Sequence, residues 1–289
     1  MKTKIKLIYW NKPNFGDILS PYIINQLSQQ EVLHKNFYRG SWGAIKSFIK
    51  CIVTLQLKRT VHINYPFDKN ILGIGSIISL GNKNSIVWGS GFMNENEIFR
   101  GGQIFAVRGK LTNNKLINQG YRGCNVFGDP ALLVPLLISP SNKQLFEIGI
   151  IPHIKETEYF KAQYSHLYKI IDLRSFDVKK IIQEITSCKY ILSTSLHGII
   201  VSHAYNIPAL WIKHGYIDTD GFKFKDYFSS VNIPEYEGFT NIDSLLTQNQ
   251  WKNLFNNHSQ QSLPNIDIKI IQNQLLKVAP FPIKFKNLR

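Results

Sequence analysis

The sequence predicts an α/β protein made of two α/β domains that face each other. Three observations lead there. Short apolar runs rich in β-formers alternate with helix-patterned segments from end to end. The strand candidates are apolar throughout instead of alternating with polar residues, as expected for parallel sheets covered on both faces. The alternation then restarts at Glu147, after "PALLVPLLISPSNKQLF", whose prolines and polar "SPSNKQ" read as a linker. With 289 residues the chain is long enough for two domains of ordinary size, placed at 1–143 and 144–289.

In chain order, "IKLIYW" is a strand. "DILSPYIINQLSQQ" is a helix whose Ile18, Leu19, Tyr22, Ile23 and Leu27 share one face, with Pro21 tolerated in a first turn. "SWGAIKSFIKCIVTLQLK" is a second helix. "NILGIG", "SIVWGSG" and "IFAVRG" are strands, followed by the helix "KLTNNKLINQG". The second half reads as strands "EIGIIPH", "YKIIDL", "KYILSTS" and "IPALWI". Its helices are "FDVKKIIQEITSC", "GIIVSHAYN", "IDSLLTQNQWKNLF" and "NIDIKIIQNQLLKV". The end, "APFPIKFKNLR", is basic and aromatic, and reads as a frayed terminus or as a tail resting on an anionic surface.

Composition narrows the class. Hydrophobic residues at 44% and charged residues at 18% fit a globular protein. No run reaches the ~18 apolar residues of a spanning helix, because the best candidate, "AIKSFIKCIVTLQLK", carries Lys46, Lys50 and Lys58. The apolar run before Asn11 is shorter than the ~7 to 15 residues of a signal-peptide core, so a cytoplasmic protein is expected. Cys51, Cys124 and Cys188 are odd in number and far apart, and read as reduced core thiols. The net charge of +15 attracts polyanions, anionic lipid or phosphorylated substrates, or serves solubility alone. No Arg-rich run or basic recognition helix appears, so nucleic acid is not an expected partner.

Ligands of parallel sheets collect beyond the strand carboxyl ends, so each strand-to-helix turn is a candidate site. In "WNKPNFGDILSPY", Gly16 permits a tight turn and Asp17 is placed to cap a helix. "GIGS" and "WGSG", the latter containing Gly91, are glycine turns where backbone can approach a ligand, without a full nucleotide fingerprint. "FAVRGKLT" delivers Arg108 to a strand end, where a guanidinium can grip a carboxylate or phosphate or form a salt bridge. "NVFGDPALL" places Asp129 at an ordinary helix start, and "GIIPHI" leaves His153 at the end of another strand.

The richest turn is "STSLHG". Ser193, Thr194 and Ser195 precede a helix whose amino-terminal amides favour an anion, and His197, with Gly198 beside it, can give or take a proton. His203 points elsewhere around that helix. "WIKHGYIDTDGFKFKDYF" reads as a cationic loop with Lys213, His214, Lys223 and Lys225, suited to a phosphorylated donor or a sugar ring.

Taken in order from about residue 9 to 231, "NFGDILSPYI", "GSG", "FAVRGKLT", "FGDPALL", "GIIPH", "STSLHGIIVSHAYNIPALW" and "GFKFKDYFSSV" resemble the successive motifs of the polysaccharide pyruvyltransferase family. The resemblance implies a GT-B-like pair of Rossmann-like domains with a cleft between them. It implies transfer of the enolpyruvyl unit of phosphoenolpyruvate to a sugar, closure of a ketal and release of phosphate. No metal or other cofactor is implied. The acceptor is implied to be a saccharide, often lipid-linked, used at the cytoplasmic membrane face.

Arg108 matches the family arginine held to bind the donor, and His197 matches the histidine of the family motif "RLH", which makes it the implied proton donor. The arginine of that motif is replaced here by Ser195, so Lys213, Lys223 or Lys225 would supply the charge, and Ser193 or Ser195 would hydrogen-bond the phosphate. Asp17 matches the first motif's acid, implied to orient the acceptor or act as base. Two rivals remain open at this level: a GT-B-like glycosyltransferase using a nucleotide-sugar, and a non-catalytic scaffold in a polysaccharide assembly complex.

Overall fold

The computed structural model describes residues 4–38, 41–215 and 219–284. Five strands form the first sheet: β1 (Ile5–Ile8), β2 (Val32–Lys35), β3 (Asn70–Leu72), β4 (Ser85–Trp88) and β5 (Gln103–Ala106), all parallel in the order β2-β1-β3-β4-β5. Four form the second: β6 (Phe146–Ile151), β7 (Lys169–Ile170), β8 (Cys188–Ser193) and β9 (Ala209–Trp211), parallel in the order β7-β6-β8-β9. The fold is therefore α/β with two parallel-sheet regions. β2 was not foreseen. It is an edge strand, "VLHK", and its half-buried, partly polar side chains give no apolar run to recognise.

The helices of the first half are α1 (Phe15–Ser28), α2 (Ser41–Val53) and α3 (Lys110–Asn118). The second half carries α4 (Thr157–Tyr164), α5 (Val178–Thr186), α6 (Leu196–Ala204) and α7 (Phe222–Ser230). Four more follow: α8 (Ile242–Thr247), α9 (Trp251–Asn257), α10 (Ser259–Ser262) and α11 (Ile268–Lys277). The pattern of α5 shows why it folds: Val178, Ile181, Ile182 and Ile185 share the buried face, and Asp177 caps the start by accepting from the Lys180 amide at 3.0 Å.

Four sequence expectations need correction. Pro21 lies inside α1, beyond its first turn, and the buried face of Leu19, Ile23, Ile24 and Leu27 holds the helix together around it. The "linker" begins as a buried 3-10 helix, Pro130–Leu136, with Ala131, Leu132, Leu133 and Val134 wholly covered. The segment "IDSLLTQNQWKNLF" is two helices, broken at Asn249, whose φ is 55°. The stretch 211–228, read as a cationic loop, ends in α7, which takes in residues 222–228 and buries Phe224, Tyr227 and Phe228, while residues 216–218 lie outside the described residues.

One continuous core joins the two sheets. It runs from Leu7, Phe15 and Leu19 through Leu132 and Leu133 to Ile182, Ile199 and Trp211. The backbone crosses the same boundary, where the Phe15 amide donates to the Leu173 carbonyl at 2.8 Å. The last helix, expected with the second half, packs back on the first: Trp88 Nε1 donates to the Leu275 carbonyl at 3.0 Å and Gln272 Nε2 to that of Leu132 at 2.7 Å. The start of the basic tail is not frayed, since Phe281 sits edge-on against Trp88 and the Lys284 amide donates to the Leu27 carbonyl at 2.8 Å. Residues 285–289 of that tail lie outside the described residues. Cys51 and Cys188 are buried, Cys124 is half-buried, and all three are free thiols.

A second tie is electrostatic. Arg108, at the end of β5, and Asp226, on α7, are both wholly buried, with Nε to Oδ2 at 2.9 Å. Asp226 also accepts from the Thr112 amide and hydroxyl, each at 2.7 Å. Removing one member strands the other in a low-dielectric interior. Asp226→Ala is therefore expected to lower unfolding free energy by about 3–5 kcal/mol, measured by urea denaturation against the wild type.

Candidate functional site

The carboxyl ends of both sheets converge. From the first come Gly16 and Asp17 after β1, Gly75 and Ser76 after β3, Gly91 after β4 and Arg108 after β5. From the second come Thr194 and Ser195 after β8 and His197 in the first turn of α6. The approach is close enough that a Cβ on Gly16 would fall 2.2 Å from His197 Nδ1. A glycine is therefore required where α1 meets α6.

His197 is the centre of this cluster. Its side chain is 16% exposed, and its Nε2 faces Asp129 Oδ2 at 4.0 Å. Neither atom has a hydrogen-bond partner among the described residues. Burial, with the positive charges of Lys223 and Arg108 nearby, pushes the imidazole down to about 3. The ring is thus neutral near pH 7, and the separation is not an ion pair. A histidine that arrives protonated, as the sequence reading expected, does not fit this environment.

Two carboxyls are shifted alike but only one of them caps a helix. Asp129 is wholly buried, and its Oδ1 accepts from the Ala131 amide at 2.9 Å, so the capping role expected of it holds. Burial pushes its carboxyl up to about 7 against the pull of that amide and of Arg108. Asp17 is not the cap of α1; that position is Asn14, whose Nδ2 donates to Asp17 Oδ2 at 2.6 Å. Burial pushes Asp17 up to about 7 as well, with Lys223 opposing the shift.

The remaining candidates divide. Arg108 reaches the strand end as expected, but its guanidinium is wholly buried and committed. Beyond Asp226, Nη1 donates to Ser76 Oγ at 2.6 Å and Nη2 to the Phe92 carbonyl at 2.5 Å, so the bidentate grip on a donor is spent inside the protein. Gly91 makes this arrangement fit, since a Cβ there would lie 2.6 Å from Arg108 Nη2. The Ser193 hydroxyl is also spent internally, donating to the carbonyls of Ile151 and Ser195 at 2.8 Å. A Cβ on Gly198 would strike it at 2.5 Å. Thr194 Oγ1 donates to buried Glu156 Oε2 at 2.5 Å. Ser195 starts α6 in extended conformation with no side-chain cap, which leaves the first amides of that helix facing the cluster.

Of the three lysines singled out, the charge of Lys223 acts on Asp17 and His197. Lys213 pairs with Glu237 at 2.6 Å, and Lys225 pairs with Glu237 at 2.5 Å and Glu235 at 3.1 Å. His153 stands at the neighbouring strand end, its amide donating to Thr194 Oγ1 at 2.6 Å. There a cavity of about 80 Å³ is lined by Glu156, Thr194, Lys213, His214 and Gly215. His203 is structural: it is buried, with Nδ1 3.0 Å from the Tyr227 hydroxyl. Sequence reasoning missed Asp226 and Ser76. Asp226 stood inside a quoted stretch, but its partner is 118 residues away and leaves no local signal.

The sequence profile described as polysaccharide pyruvyl transferase matches residues 14–216, a span holding Asp17, Arg108, Asp129 and His197. The chain belongs to the polysaccharide pyruvyl transferase family. Membership implies a transferase. An uncharacterized protein of Acanthamoeba polyphaga mimivirus is similar to it, 30% identical over 217 residues, or 71% of this chain and 72% of that protein. Lys223 and Asp226 lie beyond the matched span, so their place in this transferase is a finding of the tertiary structure. Among the described residues no helix is long and apolar enough to cross a membrane.

Two outcomes follow. Gly16→Ala displaces the imidazole and is expected to lower turnover about 100-fold, with histidine ring resonances by NMR reporting the shift of His197. Asp129 binds a proton in the folded state up to about 7 but loses it near its ordinary value of 3.8 when unfolded. Its contribution to stability therefore falls as pH rises between these values. Asp129→Asn keeps the Oδ1 acceptor, so its melting temperature should exceed the wild type's at about pH 8 and match it at about pH 4.

Proposed function

We propose that the chain transfers the enolpyruvyl unit of phosphoenolpyruvate to a sugar of a surface polysaccharide or its lipid-linked precursor, closing a pyruvate ketal and releasing phosphate. One observation carries this reading. The uncapped amino end of α6 lies beside two buried cations, Arg108 and Lys223, in the same place as three proton-exchanging groups, Asp17, Asp129 and His197. An anion with a carboxylate and a phosphate suits such a field, and its reaction needs one proton delivered to carbon and others removed from hydroxyls. In this reading the two halves form a GT-B-like pair, residues 1–143 on the acceptor side and 144–289 on the donor side.

In this reading the charge pattern supports the following steps. The carboxyl of Asp17, partly protonated near pH 7, gives its proton to the methylene carbon as the double-bond electrons move to it. A sugar hydroxyl adds to the adjacent carbon, and its proton passes to neutral His197. The ionised form of Asp129, present from about pH 7 and facing Nε2, stabilises the imidazolium so formed. The carbon–oxygen bond to phosphate then breaks, the electron pair leaving with phosphate, which takes the proton from His197. The second hydroxyl closes the ketal and returns its proton to Asp17. Lys223, Arg108 and the α6 amides hold the developing charge without reorganising.

Calorimetric titration with phosphoenolpyruvate and a panel of nucleotide-sugars tests the donor. Binding of phosphoenolpyruvate, weakened about tenfold or more in Lys223→Ala, is expected, as for loss of a charge-assisted contact. Because the acid form of Asp17 delivers the proton, kcat/KM should fall about tenfold per pH unit above about 7, and Asp17→Asn should abolish ketal formation. Binding of a nucleotide-sugar with indifference to phosphoenolpyruvate would move the assignment to a glycosyltransferase, the reading that Ser195 in place of the family arginine keeps alive.

A further inference from the structure

The outer face of α2 is an exposed apolar surface that the site does not use. Ala44 and Cys51 anchor the helix inward against Ile63, Tyr38 and Tyr65. At 100° per residue, Trp42, Ile45, Ile49, Ile52 and Val53 fall on an arc about 100° wide on the opposite side. All are exposed, Trp42 by 74% and Val53 by 76%. The surface continues past the helix. Leu55 is 85% exposed and held at a φ of 53°, a left-handed position where glycine or asparagine is at home, so an apolar residue is presented to solvent at a conformational cost.

The charges around this face are of one sign. Between Glu31 and Asp68 the sequence has no acidic residue, while Lys46, Lys50, Lys58 and Arg59 are all exposed. Among the described residues none of these four makes an ion pair, whereas exposed cations elsewhere, such as Lys4, Arg174 and Lys252, do. A cleft of about 160 Å³ beside the helix, lined in part by Ala44 and Pro66, adds Lys83 and Arg100 to the border.

We infer that α2 and the turn after it form a membrane-docking surface that seats on anionic lipid. The helix has 13 residues, too few for the ~20 that span a bilayer, so it lies in the interface plane. The apolar arc enters the acyl boundary, the lysine stems lie along it with their ammonium groups at the phosphates, and Trp42 sits at headgroup level. The charge of the face selects an anionic bilayer over a neutral one. The inference is independent of the donor and of the reaction, because no residue of the cluster takes part.

The test is co-sedimentation of the full chain with vesicles of phosphatidylcholine and phosphatidylglycerol, against vesicles of phosphatidylcholine alone. Binding to the mixed vesicles, declining with added salt, is expected. Each of Lys46→Gln, Lys50→Gln and Lys58→Gln should weaken it about fivefold. Ile49→Glu, and independently Trp42→Ser, should weaken it about tenfold or more, with melting temperatures unchanged because both side chains are exposed. Equal binding to both vesicle types, no binding, or variants that bind like the wild type would overturn the inference. So would a dimer by light scattering that Ile49→Glu splits, since the face would then belong to a second copy.

Discussion

Everything in the cluster depends on one buried ion pair. Arg108 comes from the first half and Asp226 from the second, and their contact fixes where α7 crosses the first sheet's strand ends. Two glycines make room for it: a Cβ on Gly91 would strike the Arg108 guanidinium, and one on Gly109 would fall 1.8 Å from the Asp226 carbonyl. A buried pair of this kind adds little net stability over apolar packing of the same volume, because desolvation offsets the attraction. Its effect is positional. With α7 fixed, Lys223 is held over Asp17 and His197, and its neighbour Lys225 is turned outward to Glu235 and Glu237.

The electrostatics of the site follow from that placement. Burial of the imidazole, with two cations beside it, keeps the ring neutral, while burying carboxyls with incomplete hydrogen bonding keeps their protons on near neutral pH. The same low-dielectric surroundings drive both shifts, in opposite directions for the two kinds of group. The result is a neutral imidazole beside carboxyls that hold their protons near pH 7, a state the carboxyls would not reach in water. His197 Nε2 and Asp129 Oδ2, without hydrogen-bond partners among the described residues, are part of this state, since groups left unsatisfied in a buried site are poised to gain a proton or a ligand atom.

Much of the fold was legible locally. All strands of both sheets except β2 were visible as apolar runs, because buried parallel strands are apolar on both faces. The strand-to-helix turns that carry Gly16, Asp17, Arg108, Asp129, Ser195 and His197 were visible for the same reason. Misreadings came where local composition and tertiary context part company. The polar look of "GFKFKDYF" hid a helix whose aromatic residues are covered by the second half. The helix start at Asp129 was legible, but the prolines of "PALLVPLL" made a linker of a segment that begins as a buried 3-10 helix at the centre of the shared core.

The sequence by itself determined the class of fold, the family and the chain segments from which the site is built, since periodicity, turn chemistry and motif order are properties of neighbours in sequence. Only the tertiary structure decided what each site residue does. It spent Arg108 on Asp226 and Ser193 on its own turn, and set His197 against Asp129. It also brought Lys223, and not Lys213, to the cluster. The physical reason is that charge state and hydrogen-bond capacity depend on burial and on partners far away in sequence, 118 residues for Arg108 and Asp226, and no local pattern encodes either.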